Sequence, residues 1–163
     1  MELQAEALAD CLLDGDYHQA WDMISTYLDA GQNSLFIYEH LLTEAMRHVG
    51  RLWEQGAITV ADEHLATSIC DMLLSQMMQQ THLLRPTKPR AMFFCLEKEE
   101  HELGLKMVSA IFREEGWEVL YFGPNLPLEY AISSAKRWRP EVVGISISIV
   151  YHLPALSAYI EQL

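Results

Sequence analysis

The hydrophobic period of this chain changes at "RPTKPR", residues 85–90, and that change constrains the fold more than any other feature. Upstream, apolar residues recur every three or four positions, the spacing of amphipathic helices. Downstream, short apolar runs alternate with helical segments. The stretch itself holds two prolines and three cations and no large apolar side chain, which marks a linker. The chain therefore divides into residues 1–84, a linker at 85–90 and residues 91–163, and the two larger pieces bury their apolar residues in different ways.

Four helical segments precede the break. "LQAEALADCLL" stops at "DGD", and "YHQAWDMISTYLDA" ends at Gly31. "SLFIYEHLLTEAMRHVGRLWEQ" has Asn33 or Ser34 as its N-cap and Gly56 beyond its end. The fourth begins at Thr59, with Asp62 three residues on in a capping box, and runs through "VADEHLATSICDMLLSQMMQQTHLL". Helices of this length on short connections predict an antiparallel four-helix bundle, with Met72, Met77 and Met78 in its core. After the break, strands are predicted at "AMFFCL", "WEVLYFG" and "EVVGISISIV". Helices are predicted at "HELGLKMVSAIFREEG", "LEYAISSAKRWR" and "LPALSAYIEQL". Such alternation builds a parallel sheet. The predicted fold class is thus α/β: a four-helix bundle followed by a Rossmann or flavodoxin-like parallel sheet. The sheet has three strands where such sheets usually have five or more, as expected either of a fragment or of a chain whose last segments belong elsewhere.

Bulk properties exclude several roles. A formal charge of −12 repels phosphate backbones, so direct nucleic-acid binding is not expected. No apolar stretch is long enough to span a bilayer, and no secretory leader opens the sequence. Three scattered cysteines in apolar surroundings (Cys11, Cys70, Cys95) read as reduced core thiols of a cytoplasmic protein.

Ligands of parallel sheets bind beyond the carboxyl ends of the strands. At the exit of the first strand stands "EKEEHELG", which sets Glu99, His101 and Gly104 at the spacing E-x-H-x-x-G. A carboxylate two residues from a histidine can accept one ring N–H and leave the other nitrogen as a metal ligand. Gly104 lets a flat ligand approach the backbone. Spacing alone favours a solvated capping loop here. Ser146 and Ser148 place hydroxyls inside an otherwise apolar third strand and suggest polar contact with a ligand, or equally with local backbone. "GPNLP" at the same sheet edge reads as a plain turn. In the helical half, Trp53 lies at the end of the third helix, and Val60, Glu63 and His64 share one face of the fourth. By themselves Trp53 and Val60 read as bundle packing, with Glu63 and His64 facing solvent. His18, His40, His48 and His82 have no partner pattern.

Helical bundle, basic linker and E-x-H-x-x-G in the first βα loop together resemble the cobalamin (B12)-binding module. That module occurs in methionine synthase, corrinoid methyl carriers and B12-dependent photoreceptors, with the fingerprint D-x-H-x-x-G, then S-x-L, then a G-G pair. The resemblance implies that His101 ligates cobalt from below in place of the corrin's own base and that Glu99 orients it. It also implies that Gly104 and Ser146 line the channel of the nucleotide tail. Within the family, W-x9-E-H (Trp53 to Glu63-His64) set in "VGRLWEQGAITVADEHLAT" is similar to the light-sensing CarH-type regulators. There the bundle caps adenosylcobalamin and the tryptophan packs on the adenosyl group, so Val60 and Glu63 would contact adenosyl as well. This chain departs from the pattern at Glu99 (usually Asp) and at Ser148 (the Leu of S-x-L). It departs again at Glu54, where the photoreceptors often have a histidine that ligates cobalt after photolysis. The G-G pair has no counterpart.

The resulting expectation is a sensor module that binds adenosylcobalamin. Photolysis of its cobalt–carbon bond would change domain packing, a partner protein or self-association. The alternative is a corrinoid methyl carrier, with methylcobalamin as a possible cofactor form. Neither a membrane nor a nucleic acid is an expected partner of the chain.

Overall fold

The computed structural model describes residues 2–81 and 85–163, so His82 and the predicted end of the fourth helix lie outside the described residues. The chain forms two compact units, Met1–Gln80 and Thr81–Leu163. Among the described residues no helix is long and apolar enough to cross a membrane.

The first unit is helical throughout. Helix α1 spans Glu2–Leu13 and α2 spans Tyr17–Asp29, with the Asp16 side chain accepting the Gln19 N–H as the cap. The third helix, α3, runs over 34–54. Asn33 caps it by accepting the Phe36 N–H, and Ile37–Leu42 widen into a π-helical stretch that the sequence period does not reveal. The wider turn still buries Ile37, Tyr38, Leu41 and Leu42. Helix α4 spans Val60–Thr81, and its capping box is reciprocal. The Thr59 N–H donates to Asp62 at 2.7 Å, and the Asp62 N–H donates to the Thr59 hydroxyl at 3.3 Å. Buried Ala5 and Ala9 of α1 and Ala45 and Val49 of α3 leave room for close helix approach. Met77 is buried as expected. Met72 is not in the core: it is 51% exposed and lines an open cleft with Tyr17, Asp71 and Ser75.

The second unit is a three-stranded, all-parallel sheet in the order β2-β1-β3. Strand β1 (Arg90–Leu96) is central and pairs with β2 (Glu118–Leu126) and β3 (Val142–Ser146). Period-two alternation sends Met92, Phe94 and Leu96 to one face, against Ala131 and Tyr159. It sends Ala91, Phe93 and Cys95 to the other, against Leu105. Helices α5 (Leu103–Glu114), α6 (Leu128–Trp138) and α7 (Leu153–Gln162) flank the strands in sequence.

Three boundaries differ from the sequence reading, each where tertiary contacts outweigh local pattern. "GPNL" is not a plain turn: it continues β2 with two register irregularities, because Gly123 and Leu126 still find partners at Phe94 and Leu96. The third strand ends at Ser146, so Ser148 lies in the loop beyond it, and a 3₁₀ turn (Val150–His152) leads into α7. The basic linker is pinned, with the Thr87 and Lys88 N–H groups donating to the Gly116 carbonyl at 2.9 Å, and Arg90 already belongs to β1.

Candidate functional site

All three strands end at one edge, and the loops leaving them meet around Glu99. The first loop is tight: Lys98 takes a left-handed φ of 70° and the Glu99 N–H returns to the Leu96 carbonyl. Asn125 at the end of β2 is also left-handed, at φ 55°. Its Oδ1 accepts the Lys98 N–H at 2.8 Å, and its own N–H donates to the Glu99 carbonyl at 3.0 Å. Two non-glycine residues in a sparsely populated backbone region thus interlock at the sheet edge, the kind of place where strain collects near function.

The Glu99 side chain is 0% exposed, and each of its oxygens serves a different loop. Oε1 accepts the His101 backbone N–H at 3.0 Å and pairs with the His101 ring Nδ1 at 2.6 Å. Oε2 accepts the backbone N–H groups of Ser148 and Ile149 at 2.7 and 3.2 Å. Burial pushes the carboxyl pKa up. The N–H donors of Ser148, His101 and Ile149, with the His101 ring, outweigh it and hold the group down to about 2. Glu99 is therefore a buried carboxylate in the neutral range, and its negative charge favours the His101 tautomer with the proton on Nδ1.

His101 projects outward, with its side chain 67% exposed. With Nδ1 engaged on Glu99, Nε2 is the nitrogen left for an external partner. Gly104, in the first turn of α5, is exposed, and a Cβ built there meets nothing within 4 Å. Its small size leaves open space beside the histidine loop and is not required by the chain's own packing. The Cys95 thiol donates to the His101 carbonyl at 3.7 Å, and burial raises its pKa to about 11, with Glu102 and Glu99 adding to the rise and the Ser146 side chain opposing it. Ser148 contributes its backbone N–H to Glu99. An exposed imidazole nitrogen, with the ring oriented from behind by a buried carboxylate, is chemically suited to ligate a metal.

In the helical unit Trp53 and Val60 are not packed into the bundle: they are 52% and 58% exposed. Glu63 and His64 form a second carboxylate–imidazole pair, 2.6 Å from Oε2 to Nδ1, and Glu63 Oε1 accepts the Thr67 hydroxyl at 2.9 Å. Trp53 lies at the end of α3, and Val60, Glu63 and His64 lie in the first two turns of α4.

Sequence reasoning missed three participants at the sheet edge. Asn125 was hidden inside "GPNLP". Glu102 does not cap α5 with its side chain but accepts the Tyr121 hydroxyl at 2.6 Å. His152, beyond the third strand, brings its Nδ1 to 3.5 Å from Glu99 Oε2. Their signal was position at the carboxyl edge, with no motif of their own.

Residues 4–77 and residues 89–163 each match a family described as B12 binding domain. Among curated proteins the chain is similar to the HTH-type transcriptional repressor CarH of Myxococcus xanthus. They share 31% identity over 133 residues, which is 78% of this chain and 44% of that protein. It is also similar to trimethylamine corrinoid protein 2 of Methanosarcina acetivorans, at 25% identity over 142 residues, 84% of this chain and 64% of that one. The chain thus spans less than two thirds of the length of either relative. The monomethylamine corrinoid protein of Methanosarcina barkeri shares its fold, with a TM-score of 0.74 at 18% identity over 96% of this chain and 75% of that one. With both halves matched, the chain is a cobalamin-binding member of the B12-binding domain family.

Proposed function

We propose that the chain binds adenosylcobalamin with His101 as the lower cobalt ligand and acts as a light-responsive regulatory module. The observation that carries the ligand assignment is the His101–Glu99 pair, which fixes Nδ1 and leaves Nε2 exposed. Glu99 orients the ring, Gly104 leaves room at the loop, and Ser146 and Ser148 border the same edge. Bound cofactor would supply a cobalt–carbon bond that light breaks. Trp53, Val60, Glu63 and His64 would hold the adenosyl group: the two apolar residues offer surface for its flat base, and Glu63 an acceptor for its polar edge. Loss of that contact is a differential interaction that can bias packing, a partner or self-association. Similarity to the CarH repressor supports the sensor reading.

Similarity to a trimethylamine corrinoid protein, and the shared fold of a monomethylamine corrinoid protein, favour a second reading as a methyl carrier for a methyltransferase. Visible spectra of the purified protein with adenosylcobalamin, in the dark and after illumination, and with methylcobalamin, separate the two. The sensor reading expects preference for the adenosyl form, weakened by Trp53→Ala, and a light-driven change in size or partner binding. Equal affinity for methylcobalamin with turnover by a methyltransferase overturns it in favour of the carrier.

A further inference from the structure

Helix α4 carries an apolar line on its outer side that the bundle core does not use. Leu73, Leu74 and Met77 are buried, while Leu65 and Met72, two turns apart along one side, are 42% and 51% exposed. The turn between α1 and α2 sits on the first of them: a Cβ at Gly15 would lie 3.5 Å from the Leu65 side chain. Beyond it, Tyr17 at the start of α2 and Asp71, Met72, Ser75, Gln76 and Gln79 of α4 line an open cleft of about 510 Å³.

The cleft lies in a field of one sign. Residues 1–33 and 60–80 hold ten carboxylates and no lysine or arginine. The two arginines of the helical unit are both on α3, where Arg47 pairs with Glu44 and Arg51 with the His48 ring. Asp10, Asp14 and Asp16 are exposed around the α1–α2 turn. Their charges converge there: burial first, then Asp16, Asp10 and Asp14, push the Cys11 thiol pKa up. Asp71 adds a fourth carboxylate in the cleft itself. A single exposed leucine or methionine is ordinary. Two in line beside a cleft, rimmed by four carboxylates on segments without lysine or arginine, complement one face of a basic amphipathic helix.

We propose that this cleft is a docking site for a basic amphipathic helix of a partner protein. Apolar side chains of the partner enter beside Met72 and Tyr17 and continue along Leu65, and its lysines or arginines meet Asp10, Asp14, Asp16 and Asp71. The helical unit of a second copy would bring like charge to like and fits poorly. Met72 suits the role, because an unbranched, polarisable side chain repacks readily around an incoming apolar surface. The inference goes beyond cobalamin binding and does not depend on it.

The test uses the full chain and a labelled synthetic helix of about 18 residues, with leucines on one face and lysines on the other. A scrambled peptide of the same composition controls for charge alone. Fluorescence anisotropy at low salt should show the patterned helix binding about tenfold more tightly than the scrambled one. Met72→Ser should weaken it about tenfold and Asp71→Asn about threefold. Glu39→Gln, which removes one charge from an exposed position on α3, should weaken it by less than about twofold. Methionine-methyl NMR of the wild type needs no variant: the Met72 signal should move on titration while that of Met92, buried in the sheet, stays. Equal binding of the two peptides, a Met72 signal unmoved at saturation, or an Asp71→Asn effect no larger than that of Glu39→Gln overturns the proposal. Self-association in sedimentation that Met72→Ser abolishes overturns it too, and assigns the cleft to a second copy.

Discussion

At the scale of single residues, Glu99 and His101 have opposite structural weights. Glu99 is buried and serves donors from two loops, so Glu99→Gln leaves one set without its carboxylate oxygen. The expected loss is about 1–3 kcal/mol of unfolding free energy, measurable by urea denaturation. His101 is mostly solvent-exposed, so His101→Ala should change stability by no more than about 0.5 kcal/mol. A much larger loss in His101→Ala would mean that the ring supports the fold as well as a ligand. The proximity of the two was legible in sequence because residues two apart in a tight loop are neighbours wherever that loop lies. The other half of Glu99's role was not legible, since Ser148, Ile149 and His152 lie about fifty residues downstream. Ser148 shows the difference well. A strand pattern points to its hydroxyl, whereas the bond to Glu99 comes from its backbone N–H, which every residue but proline has.

At the scale of elements, caps and strand pairs carry the specificity. The Thr59 N–H, then its hydroxyl, hold the Asp62 carboxyl below its ordinary value of 3.8. The folded-state pKa is depressed, so the cap's contribution is fully present above about pH 4 and is lost as pH falls through the lowered value. An NMR titration of Asp62 should therefore show a pKa below 3.8 that rises partway toward it in Thr59→Ala. No rise would mean that the hydroxyl plays no part. In the sheet, Gly144 of β3 lies opposite Phe93 of β1, and a Cβ at Gly144 would overlap the Phe93 ring. Gly144→Ala should cost about 1–3 kcal/mol by overpacking, read as a lower urea midpoint. An unchanged midpoint would show that the ring can move aside. Helix and strand order was readable because apolar period differs between the two kinds of element. The π-helical stretch at Ile37–Leu42 and the long β2 were not, because both depend on neighbours that local period does not encode.

At the scale of the whole molecule the two units differ in charge as well as in fold. Residues 1–80 carry 13 carboxylates against two arginines, a formal −11. Residues 81–163 carry ten against nine, a formal −1. The acidic field thus belongs to the helical unit, which makes that unit in particular a poor surface for phosphate backbones. Cobalamin that binds only the folded state should raise its stability by about 2.7 kcal/mol at a free concentration 100 times Kd. A thermal melt with and without cobalamin checks this, and His101→Ala should lose most of the shift at the same concentration. Equal shifts in both proteins would separate binding from His101.

The order of helices and strands, the change of architecture near residue 85 and the loop that carries His101 follow from the sequence alone. All are written in local period, caps and near-neighbour spacing, which act over a few residues wherever the segment ends up. Only the tertiary structure decides that β1 is the central strand and that the loops after β1, β2 and β3 converge at Glu99. It alone shows that one buried carboxylate serves both His101 and the chain around His152. The reason is that lateral strand order and the approach of loops come from pairing and burial across tens of residues. The identities of the residues in any one loop do not specify what will lie beside them.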